Sequence, residues 1–443
     1  MWSTEQNRTQ GRRTLRHANL STRRAGKPRL HTNRPRHPAG TRVSLDSAWA
    51  GLLLLAVVTG LAATPAFRFL DHAPEQGARY ASVDGLRGFL ALGVFLSHLF
   101  LTHRFVETGV WDAPNSRLYS LLGAVGVSVF FMLTGFLFWG KLLRTQGRPA
   151  WRALYTGRLF RIAPMYLTVV VVMLAIVLAR TGFELREPAS VVFGSALQWL
   201  ALGFVATQPD VNTYTASHVL AGVTWTITYE WAFYALLLVM APVSRQRGHL
   251  VFVLAALLVF FAVKRAGHID AAGFAALFAC GMAVASLMHL APALRLSNRV
   301  SSTFALLCLA AILGLARSGY STWVALLLTV FVFFVCTGAS LFGLLASSAA
   351  QRLGRVSYSL YLMQGLVLSL VFAVEPVRAF AMTSAAAFWA VGIACACLLA
   401  LAASLGYAFV ERPGIALGKR LILWAEFEQP RRRASPAGPA ATT

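Results

Sequence analysis

Charge is scarce in this sequence. Of its 443 residues 13% are charged and only 16 are acidic, whereas about a quarter of a soluble globular domain carries charge. A water-soluble fold of ordinary composition is thereby excluded. Cysteine is scarce too: Cys280, Cys308, Cys336, Cys395 and Cys397 all lie in apolar stretches, where they act as small hydrophobes. Their placement suggests neither a disulfide framework nor a zinc site. Cys395 and Cys397 are two residues apart and point to different faces of a helix. No internal repeat is visible.

What the sequence has instead is long apolar runs, recurring from residue 49 to residue 409, each near the ~20 residues that a bilayer-spanning helix needs. The expected fold is an all-α, polytopic membrane protein. The 40 Lys and Arg give a net charge of +24, which in a soluble protein would point to nucleic acid. Here much of it lies in the two tails and the short loops, so it reads as a topology signal and no nucleic-acid partner is expected. Residues 1–45 hold eleven Arg and Lys against one acid, with no apolar periodicity, and are expected to be a disordered basic tail. A possible extra helix and linker follow at 46–81, and residues 414–443 form a basic cytoplasmic tail.

The densest internal cluster, Lys141, Arg144, Arg148, Arg152, Arg158 and Arg161, belongs on the cytoplasmic side by the positive-inside rule. From there the run at 83–101 leads outward, 119–139 returns, and 164–179 exits again. The next basic turn, Arg245 with Arg247, returns inside only if one of the two intervening apolar stretches does not cross. Residues 222–241 are the better span. Residues 191–206, broken by Gly194, Gln198 and Gly203, are expected to be re-entrant or interfacial on the outer side. The count is about ten core helices with both ends cytoplasmic, in a membrane expected to be the bacterial inner one. Residues 49–67 are long enough to span, but a span would put the basic tail outside, so a span and a hairpin both stay open.

An ionisable residue inside a bilayer is costly and marks function by default. Of the acids, Glu230 is read as the one deep within an apolar span. Arg87 opens a helix that also carries His98. Eleven residues at 100° each come within 20° of three full turns, so the two share a helix face, roughly 16 Å apart along the axis. Read one by one, Arg87 could snorkel to the headgroups, His98 could be a hydrogen-bonded packing residue, and Glu230 could pair with a neighbouring helix. Together they outline a lined cavity, with Glu230 expected at the outer depth of His98. A transporter or flippase of a lipid-linked sugar would also carry intramembrane charges among ten helices.

The segment VDGLRGFLALGVFLSH, with Arg87 and His98 separated by ten residues, resembles the hallmark of the acyltransferase-3 family of integral-membrane acyltransferases. Four further patches resemble that family in its order: SVFFMLTGFL, GRLFRIAPMY, TWTITYEWAFY, and LGRVSYSLYLMQ followed by YAFVERP. The resemblance covers residues 82–413. The family's usual Trp-His after SYSLYL is replaced by Met363 and Gln364, which puts the role of a second imidazole in doubt.

The resemblance implies transfer of an acyl group, most often acetyl, from acyl-CoA to a hydroxyl of a carbohydrate, lipid-linked glycan or other exported acceptor. Acyl-CoA is then a co-substrate rather than a bound cofactor, and no metal is implied. An Arg cluster suits the phosphates of coenzyme A through charge-assisted bonds, which assigns Arg87, Arg158 and Arg161 to donor binding. An imidazole is suited to deprotonating an attacking hydroxyl near neutral pH, which makes His98 the general base. Glu230 is expected to orient it, as carboxylates do beside catalytic histidines. Direct transfer and a ping-pong route both stay open.

Overall fold

The computed structural model describes residues 44–71, 80–267, 270–294 and 296–434. The tail expected at 1–45 lies outside these apart from its last two residues. Among the described residues the structure is helical throughout, save for one isolated bridge between Val211 and Tyr214. In chain order the helices are α1 (Ala48–Ala63), α2 (Ala81–Thr108), α3 (Arg117–Arg144), α4 (Trp151–Arg180), α5 (Ala189–Leu200), α6 (Trp225–Met240), α7 (His249–Arg265) and α8 (Asp270–Leu290). Then follow α9 (Asn298–Leu315), α10 (Thr322–Thr337), α11 (Ser348–Arg355), α12 (Ser357–Val371), α13 (Glu375–Ala381), α14 (Ala385–Gly406) and α15 (Arg412–Ala434).

Local chemistry sets several of these bounds. Gly109 ends α2 in the left-handed conformation, at φ 71°, which only glycine adopts without cost. Ser116 then caps α3 by accepting from the Tyr119 N–H. Between α3 and α8, Gly281 brings the two backbones into contact, because a Cβ there would collide with the Met132 carbonyl. In a bilayer, where lipid is as apolar as leucine, such close packing is the main attraction between helices.

Among the described residues six helices are long and apolar enough to cross a membrane: α2, α3, α4, α8, α9 and the continuous stretch Ala385–Ala425. The pair α12 and α13, bent by 99°, makes a seventh if counted as one broken span. The chain is a multi-pass integral membrane protein. The expected ten spans are more than these helices supply. Helices α6, α7 and α10 have 16, 17 and 16 residues, about 24–26 Å at 1.5 Å per residue, short of the ~30 Å hydrocarbon core. Hydropathy runs through the turns that flank these helices and so overstates their length.

The segment with α5 leaves and returns on one side of the bundle. Asn212 accepts from the Arg186 N–H at 2.7 Å and donates to Thr181 Oγ1 at 2.9 Å, while Glu187 accepts from the Thr213 N–H. Arg180, at the end of α4, bonds Tyr214 and Ser369. At the same side the loop after α2 joins them, since the Trp111 ring stacks on His218 with centroids 4.5 Å apart.

Helix α1 reaches from that end of the bundle to the other. Its entry is held by Tyr119, whose hydroxyl donates to the Ser47 carbonyl at 2.7 Å, and its exit by Arg352, which donates to the carbonyls of Ala62 and Thr64. Tyr119 stacks on Phe100, near the far end of α2, whereas α11, which carries Arg352, packs at the start of α2. Arg352 and Arg355 also clasp Asp71.

Candidate active site

Helices α2, α3, α4, α6 and α12 enclose a cavity of about 130 Å³ lined by Arg87, Arg158, Arg161 and Glu230, with Thr134, Ser357 and Tyr361 among its other walls. Four of the five expected site residues therefore meet in one place. Tyr234 donates its hydroxyl to Glu230 and lies beside Arg158, whose guanidinium lies 5.0 Å over the Phe138 ring. Arg87 makes no ion pair within 4 Å among the described residues. The Ser357 hydroxyl is buried and has no hydrogen-bond partner among the described residues.

Arg161 is held by a residue that sequence reasoning passed over. A π-helical turn, Tyr407–Glu411, interrupts the join of α14 and α15 and turns Glu411 inward, where its side chain is fully buried and lies 3.4 Å from Arg161. Ser359 donates to the other carboxylate oxygen at 2.8 Å. Glu230 is thus not the one deeply buried acid. The signal lay in YAFVERP, which places a carboxylate at the end of an apolar span, but a π-turn has no clear mark in hydropathy.

His98 sits apart from this cavity. Its Nδ1 faces Gln364 Oε1 at 3.3 Å, and Gln364 Nε2 donates to the Tyr361 carbonyl at 2.9 Å. Tyr361 lines the cavity, so His98 connects to it through one side chain. The expected orienting contact from Glu230 is corrected, as is the expected outer depth of Glu230. The physical reason is that, after a single helical turn at Ala216–Val219, the chain descends without helix over residues 220–224. Residues 220 and 221 pack on Gly365 of α12, where a Cβ would strike the Leu220 carbonyl carbon, and Tyr361 bonds the Val223 carbonyl and Thr226. With α6 beginning only at Trp225, Glu230 falls level with the arginines instead of with His98.

Residues 80–406 match the acyltransferase domain of the acyltransferase-3 family. The chain belongs to that family. It is an acyltransferase-family enzyme, and the match takes in every helix that lines the cavity, while Glu411 lies just beyond it. The acyltransferase MdmB of Streptomyces mycarofaciens is 30% identical over 165 residues, which cover 36% of this chain and 39% of that protein. The shared region thus spans about two-fifths of that relative's length. No solved structure matches this acyltransferase.

Proposed function

We propose that this acyltransferase moves an acetyl group from cytosolic acetyl-CoA to a hydroxyl of a carbohydrate or lipid-linked glycan destined for export, in the bacterial inner membrane. The same reading includes the ten-crossing threading with both ends cytoplasmic, in which α6, α7 and α10 cross together with the turns that flank them. The observation that carries it is Arg87, a cation that lines a cavity inside the membrane domain and makes no ion pair within 4 Å among the described residues. A charge there without a close partner is costly, and the phosphates of coenzyme A would supply an anion through charge-assisted bonds. Arg158 extends the cationic wall, and Arg161 is pre-oriented by Glu411. Glu230 belongs to this donor end and acts there through Tyr234 and Arg158.

His98 acts as general base on the acceptor. The hydroxyl proton passes to the imidazole as its oxygen attacks the thioester carbonyl. Collapse of the tetrahedral species breaks the C–S bond, and the proton returns to the leaving sulfur, giving the ester and free coenzyme A. The roughly 16 Å between Arg87 and His98 along α2 is close to the length of an extended phosphopantetheine arm. A general base contributes about 10²–10⁴-fold, so His98→Ala membranes with normal protein abundance should lose CoA release from acetyl-CoA by that factor. Wild-type release by His98→Ala would remove this histidine from catalysis.

A further inference from the structure

Gln364 is fully buried and its amide has one possible orientation. A carbonyl only accepts, so the 2.9 Å contact to the Tyr361 carbonyl must be made by the amide NH₂. That leaves Oε1, which only accepts, facing His98 Nδ1 at 3.3 Å. The ring nitrogen must then carry the proton. Among the described residues no other side chain is hydrogen-bonded to the His98 ring, although the backbone of Val94, one turn earlier on α2, also lies against it.

From this geometry we infer that Gln364 is a positioning residue that holds His98 in the Nδ1–H tautomer, leaving Nε2 as the basic nitrogen. The inference rests on the reading of His98 as general base. In a neutral imidazole one nitrogen donates and the other accepts, and the partner of the first decides which is free. Gln364 does this without a charge. It occupies the position where the family pattern has histidine, so a group that titrates is replaced by one that does not. The close backbone approach at Gly365 fixes the register of α12 against residues 220 and 221, which keeps the amide level with the ring.

The first test needs no change at Gln364. Nitrogen-15 NMR of histidine-labelled wild-type protein near neutral pH, with the His98 signals identified by their loss in His98→Ala, should show a protonated Nδ1 and an unprotonated Nε2. A ring protonated at Nε2 overturns the inference whatever the activity. The second test is Gln364→Met, which keeps length and burial and removes the acceptor. CoA release from acetyl-CoA, measured in membranes containing the acceptor, should fall about 10–100-fold in kcat with the KM for acetyl-CoA nearly unchanged. Gln364→His should recover part of the loss. Wild-type kcat in Gln364→Met beside an inactive His98→Ala overturns the inference and leaves the base reading standing. An active His98→Ala overturns the base reading instead, while the tautomer is still decided by NMR.

Discussion

Glu411 and Arg161 form an ion pair at 3.4 Å in which the carboxylate has no exposure and the guanidinium side chain 23%. They come from opposite parts of the sequence, the start of α4 and the π-turn before α15. Such a pair gains little over a well-packed apolar one, but breaking it strands a buried charge. Its value to the enzyme is that it ties the last membrane segment to the wall of the arginine-lined cavity and fixes one of its cations.

Removing one partner should therefore cost more than removing both. Glu411→Ala is expected to destabilise the purified protein by about 3–5 kcal/mol, read as a loss of thermal stability in detergent. Arg161→Met with Glu411→Leu should recover much of that loss in stability without restoring activity. Equal stability of the single and double variants would contradict a coupled buried pair.

Arg87→Ala should weaken binding of acetyl-CoA to the purified protein. A hydrogen bond to a charged group is worth about 1.5–3 kcal/mol, so the dissociation constant should rise roughly tenfold to a hundredfold. Titration with desulfo-CoA, which retains the phosphates, is the measurement. An unchanged affinity would assign Arg87 to a headgroup contact.

Asp71 supplies a pH dependence outside the membrane spans. Hydrogen bonding from Arg352 at 2.6 and 2.9 Å, with Arg355 nearby, holds its carboxyl below its ordinary value of 3.8. A carboxyl with a depressed folded pKa contributes stability above its unfolded pKa and loses that contribution as pH falls through the folded one. The side chain is 46% exposed, so screening limits the contribution to about 0.2–1 kcal/mol. Asp71→Asn should be less stable than wild type at neutral pH, and thermal unfolding of the two should converge as pH falls below about 4.

The loops at Asp112 and Thr213 should face the same side. In a background lacking the five native cysteines, Asp112→Cys and Thr213→Cys should both react with a membrane-impermeant thiol reagent in intact cells, and Arg148→Cys should not. Labelling at 112 with protection at 213 would put α5 across the membrane. It would also contradict the stacking of Trp111 on His218.

Sequence alone determined what depends on local pattern. Long apolar runs require a membrane, and Arg87, ten residues and His98 fall on one helix face by the period of the α-helix. The arginine cluster was legible because its members sit close in sequence or in recognisable patches. The tertiary structure decided which of these groups meet. Glu230 lies with the arginines because residues 220–224, before α6, descend without helix, and unwound backbone leaves no periodicity to read. Gln364, a departure in the sequence, becomes the partner of His98 because α12 lies against α2 at that depth. Glu411 reaches Arg161 through a π-turn. Composition reports how apolar a segment is, whereas contacts between residues hundreds of positions apart follow from how whole helices pack.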